Sequence, residues 1–139
     1  MRKRGRFVRS EVWVALALSG LSILLHALIP RDVSRELFAV VLGSLGGVYL
    51  GGALKAGTNR DIAITALGAL VCVGFAVAGL RGPLWIIGAG FLAHAVWDWV
   101  HHAIRKGTVG RWWPPFCAIY DVVVGGYLLA VSLTSPSRA

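Results

Sequence analysis

The chain has 139 residues, 57% of them hydrophobic and 14% charged, against roughly a quarter charged in an ordinary soluble domain. This composition excludes a soluble globular protein, and it excludes disorder, because a chain so rich in Leu, Val, Ile and Trp buries apolar surface readily. Fourteen Lys and Arg against six Asp and Glu leave a formal net charge of +8. The basic residues stand at the ends of apolar runs, which is the orientation signal of membrane proteins. It favours anionic lipid headgroups over nucleic acid as the partner.

A transmembrane helix needs about 20 mainly apolar residues to cross a hydrocarbon core roughly 30 Å thick. Five segments meet that length, at 11–29, 36–54, 61–80, 83–104 and 115–134. They predict an all-α fold, a polytopic membrane bundle of five transmembrane helices in a single domain over 1–139. The basic stretch 1–9 resembles the leader of a secretory signal. The run that follows exceeds a signal core of about 7 to 15 residues and has no small-x-small cleavage site, so it reads as a retained first span.

Pro30 closes segment one, which holds His26, read as a structural histidine. Segment two carries Gly43, Gly47 and Gly51 at intervals of four, a stripe without side chains that lets a neighbouring helix approach closely. Two readings follow: tight packing inside the bundle, or the seam of a homo-oligomer. Segment three follows the loop at 57–59, and Pro83 opens segment four. Pro114 and Pro115 open segment five, where a missing N–H costs nothing. Cys72 and Cys117 have no Cys-x-x-Cys spacing and read as small packing residues. Trp97, Trp99, Trp112 and Trp113 read as an interfacial belt.

Loops this short dictate an up-and-down topology, which charge can orient. Arg2, Lys3, Arg4, Arg6, Arg9, Lys55, Arg60, Arg105, Lys106 and Arg111 fall on one side, ten in all, against Arg31, Arg35, Arg81 and Arg138 on the other. The excess places the N-terminus in the cytoplasm and the C-terminus outside the cytoplasmic membrane.

Segment four is unusual in holding three of the four histidines. At about 100° per residue, His94, Asp98, His101 and His102 share an arc of about 100°. Asp98 lies six residues before the cytoplasmic end of its span and Asp121 six residues into the next, so both sit about 9 Å below that surface. The two helices are sequence neighbours, and Asp98 and Asp121 are expected to face each other. Arg60, Asp61 and Thr65 of segment three fall on the same side, as do Glu11, Tyr49 and Lys55. The expected result is a polar cavity open to the cytoplasm.

Ionisable groups within a bilayer are costly to hold, which makes them functional-site candidates by default. Two facing carboxylates need a cation, a shared proton or an arginine. His94, Asp98, His101, His102 and Asp121 are ligand types for Zn, Mn or Fe, with the metal as Lewis acid or water activator. Without a metal, Asp98, Asp121 and His94 suit acid–base catalysis on an isoprenoid or other lipid, or a proton relay in a transporter. The bland alternative is that these residues only pin helix four to helix five.

The string from His94 to His102, H-x3-D-x2-H-H, is similar to the histidine box of membrane hydroxylases and desaturases, but four histidines are too few for their di-iron centre. The H-x3-D element also resembles the last motif of lipid phosphate phosphatases, whose other motifs are absent. A closer resemblance is to an uncharacterised family of small bacterial and fungal integral membrane proteins, known as a domain of unknown function. It is carried by the glycine-rich second span, the stretch from His94 to His102, and Phe116-Cys117-Ala118-Ile119-Tyr120-Asp121. It implies that the His/Asp residues form one unit and names no substrate. The expectation is a small membrane-embedded enzyme with a hydrophobic small-molecule substrate. The alternatives are an oligomeric transporter or channel subunit and a non-catalytic accessory protein.

Overall fold

The protein is described here by a computed structural model that covers residues 4–104 and 108–134, with side chains at 10–103 and 108–134. Five helices follow one another: α1 (Arg4–Leu28), α2 (Arg31–Ala56), α3 (Asn59–Arg81), α4 (Trp85–Ile104) and α5 (Trp113–Thr134). No strand occurs among the described residues. Four of the helices, α1 from Ser10, α2, α3 and α5, are long and apolar enough to cross a membrane. The sequence leads one to expect a fifth span at α4, whose 20 residues are long enough for one. It is not among the four, because His94, Asp98, His101 and His102 lower its hydropathy.

The helix boundaries have local causes. Pro30, held at φ −54° and ψ 142°, precedes α2, so the helix runs through Arg31, Asp32 and Arg35 and begins earlier than the apolar segment does. Charge limits a span but not a helix. Thr58 and Asp61 form a capping box at the start of α3: the Thr58 hydroxyl accepts from the Asp61 N–H, and Asp61 Oδ2 accepts from the Thr58 N–H at 3.0 Å. Arg2, Lys3, Arg105, Lys106 and Arg138, which contribute to the charge asymmetry, lie outside the described residues, as do the side chains of Arg4, Arg6 and Arg9.

Two antiparallel hairpins, α2–α3 and α4–α5, form the body of the bundle, and α1 packs mainly along α5. Phe38, Leu42 and Leu45 of α2, Ile87 and Phe91 of α4, and Val124 and Leu128 of α5 fill its centre. Glycines let the helices meet. A Cβ at Gly46 would lie 2.5 Å from the Ala69 Cα, so α2 and α3 touch backbone to backbone there. Gly88 and Gly125 play the same part between α4 and α5. The stripe expected to do this is turned elsewhere: Gly43 only grazes Val73 and Ala76, and nothing lies within 4 Å of a Cβ at Gly47 or Gly51. Tight internal packing through all three is thereby corrected.

At the other end of the bundle, His26 Nδ1 shares a 2.6 Å hydrogen bond with Ser34 Oγ and packs against the rings of Phe38 and Tyr127. It ties α1 to α2 and α5, as expected of a structural histidine.

Candidate functional site

One face of α4 carries His94, Asp98 and His101, all buried, and Asp121 of α5 points at the same spot. Asp98 and Asp121 are each 0% exposed and His94 is 3% exposed. His94 Nδ1 shares a 2.6 Å hydrogen bond with Asp121 Oδ2 and stands 3.4 Å from Asp98 Oδ2. One ligand-type atom from each of His94, Asp98 and Asp121 lies within 4.8 Å of the other two. The facing of Asp98 and Asp121 expected from their depths therefore occurs, with the imidazole between them.

The site contains Tyr49, which the sequence placed on the same side without assigning it a role. Tyr49 of α2 is 1% exposed, and its hydroxyl donates to Asp98 Oδ1 at 2.5 Å. Its ring packs edge-on against His94 and against His101, whose centroid is 4.7 Å away. The polarity of Tyr49 and its end of α2 were visible in the sequence. Its rotation towards α4 was not, since that depends on how α2 seats against a helix distant in the chain.

His101 is buried 4.5 Å, centroid to centroid, from the Trp97 ring, one step outside the three-residue cluster. His102 is exposed and lies outside the buried cluster. It sits about 80° around α4 from His94, at the edge of the polar arc, whereas His101 sits only about 20° away on the other side. Trp97 is likewise half-buried on Tyr49 and His101 rather than part of an outward belt, while Trp99 is 75% exposed.

Apart from Tyr49, the wider convergence of polar residues is not realised among the described residues. Lys55 and Arg60 are exposed, Asp61 serves the α3 cap, and Thr65 donates to the Asp61 carbonyl at 2.8 Å. Glu11 is half-buried on α1, away from the cluster. On the α4–α5 connection the Thr108 carbonyl rests on Gly52. What does reach the cluster is apolar: a cleft of about 180 Å³ bordered by α2, α3 and α4, with His94, Tyr49 and Trp97 on its wall. Leu67, Val71 and Ala93 line it and are themselves exposed, so the cleft opens on the outer flank of the bundle.

Four polar atoms in and beside the cluster, His94 Nε2, Asp98 Oδ2, Asp121 Oδ1 and His101 Nε2, are buried without a hydrogen-bond partner. Such atoms are few in native proteins and each calls for an explanation. Among the described residues, no Arg or Lys pairs with either carboxylate.

Residues 10–134 match a family of unknown function, DUF6010. The chain belongs to that family. The match takes in α1 as well as the helices whose motifs carried the resemblance, so the site residues all lie within the shared region. No curated protein and no solved structure matches significantly.

Proposed function

We propose that this family member is a multi-pass protein of the cytoplasmic membrane, with its N-terminus inside. In this reading it is an enzyme whose His94, Asp98 and Asp121 hold a divalent metal for chemistry on a lipid-soluble substrate. The observation that carries the reading is the cluster itself: two fully buried carboxylates and an imidazole, with ligand atoms within 4.8 Å and three of their remaining polar atoms unpartnered.

Charge supports it. Two carboxylates in a poorly solvated interior repel each other, and a divalent cation with a neutral imidazole brings the site to zero net charge without a buried arginine. Tyr49 would then orient Asp98, as second-shell donors do for ligating carboxylates. Zn, Mn and Fe all accept this donor set, and the metal would supply a Lewis acid or an activated water.

The test is metal content of detergent-purified protein by mass spectrometry, for wild type and for the Asp98→Asn, Asp121→Asn double variant. One equivalent of Zn, Mn or Fe in wild type, lost in the variant, is the expected result. Wild type that stays metal-free when isolated with each of the three ions supplied would overturn the metal assignment.

A transporter or channel subunit is the second reading, favoured by the outward-turned Gly47 and Gly51, which leave a smooth strip for another copy of the chain. A monomer in detergent would remove its support, since one small protomer has little room for an alternating-access route.

A further inference from the structure

The expectation from sequence is access to the site from the cytoplasm, yet a cleft that reaches His94 has a different character. Its walls are Leu67, Val71, Phe75 and Ala93, with Gly46, Gly68 and Gly90 providing the space. Gly68 faces the Trp97 ring, 3.1 Å from where a Cβ would be, so even one carbon narrows the passage. The mouth is on the flank formed by α3 and α4, where Leu67 is 64% and Val71 48% exposed. A helix face with this composition, in a chain that crosses a membrane, borders hydrocarbon and not water.

We propose that the cleft between α3 and α4 binds one hydrocarbon chain of a neutral lipid, which slides in from the bilayer and brings a small uncharged polar group to His94. The proposal rests on the membrane reading above and not on the metal. A volume of about 180 Å³ is close to that of an engineered apolar cavity of about 150 Å³ that binds benzene. The cleft therefore takes a ring or a short stretch of chain, and the remainder stays in the bilayer.

The chemistry of the walls selects the head group. A phosphate or carboxylate dragged past Leu67, Val71 and Phe75 would lose its hydration with no basic side chain to replace it, at a cost of several kcal/mol. A hydroxyl or carbonyl loses far less and is repaid at the far end. There the imidazole of His94 lies on the cleft wall and its Nε2 is buried and unpartnered. Alcohols, aldehydes and esters of long chains fit this site, and phospholipids and prenyl phosphates do not.

The experiment uses the full chain in lipid nanodiscs and a long-chain alcohol with a diazirine in its hydrocarbon tail, cross-linked by light and mapped by peptide mass spectrometry. Label is expected on 65–75 of α3 and 90–97 of α4, in excess over 16–25 of α1, whose Leu16, Leu21 and Leu24 face outward equally. Unlabelled alcohol should compete, and its phosphate ester should not. Gly68→Leu and Ala93→Leu fill the cleft from opposite walls, and each should cut the labelling there by about fivefold or more, equivalent to about 1 kcal/mol of lost affinity. Ala93 is exposed, so its variant carries the test even if Gly68→Leu does not assemble. Label spread evenly over α1, α3 and α4, label indifferent to Ala93→Leu, or equal competition by the phosphate ester would each overturn the proposal. The Asp98→Asn, Asp121→Asn variant should label like wild type, so that loss of the metal reading leaves this one standing.

Discussion

At the residue scale, the site depends on how Asp98 is held. Its Oδ1 accepts the Tyr49 hydroxyl and its Oδ2 has no hydrogen-bond partner, so Tyr49→Phe strips the carboxylate of its one hydrogen bond while keeping the ring that packs on His94 and His101. Leaving a buried acceptor without its partner costs about 1–3 kcal/mol. Thermal unfolding in detergent should show that loss in metal-free protein, and metal titration should show an affinity about 10–100-fold weaker, the usual effect of removing a second-shell partner. His102→Ala makes the contrast. Its side chain is exposed, so metal content and melting temperature are both expected to match wild type, and a lost metal would return His102 to the site.

At the element scale, the position of glycines within α2 decides which helix face is buried. Gly46 meets the Ala69 backbone, so Gly46→Ala forces α2 and α3 apart, and overpacking of this kind costs about 1–3 kcal/mol. Gly47 is one residue further and turned outward into open space. Gly47→Ala should leave the protomer as stable as before or raise stability by about 0.5–1 kcal/mol, because alanine has less helix entropy to lose. Unfolding of the two variants side by side checks the rotation of α2. Helix α4 shows why polarity is an ambiguous signal in a membrane chain. α4 fails the hydropathy expected of a span through the very side chains that make it interesting, His94, Asp98, His101 and His102.

At the scale of the whole molecule, the alternation of helices puts the 57–58 loop and the α4–α5 connection at one end, with Pro30 and Gly82 at the other. In the proposed topology the first end is the cytoplasmic one, on the strength of the charge excess. A cysteine at Thr58 or Thr108 should react with a membrane-impermeant maleimide only after the cells are opened, and one at Asp32 or Gly82 in intact spheroplasts. The reverse pattern would invert the topology. Native Cys72 and Cys117 are buried and give little background.

The sequence by itself determined the helical class, the number of helices and most of their lengths. The reason is local: in hydrocarbon each segment must satisfy its own backbone hydrogen bonds, so apolar length and Pro or Gly punctuation suffice to read it. It also determined the heart of the site, because His94 and Asp98 share a helix face and Asp121 follows across a short connection at matched depth. Only the tertiary structure decided what is not local. The rotation of α2 about its axis brought Tyr49 in and turned Gly47 out. The gap between α3 and α4 opened an apolar route to the cluster. Each of these depends on how one helix seats against another, which a pattern within one helix does not encode.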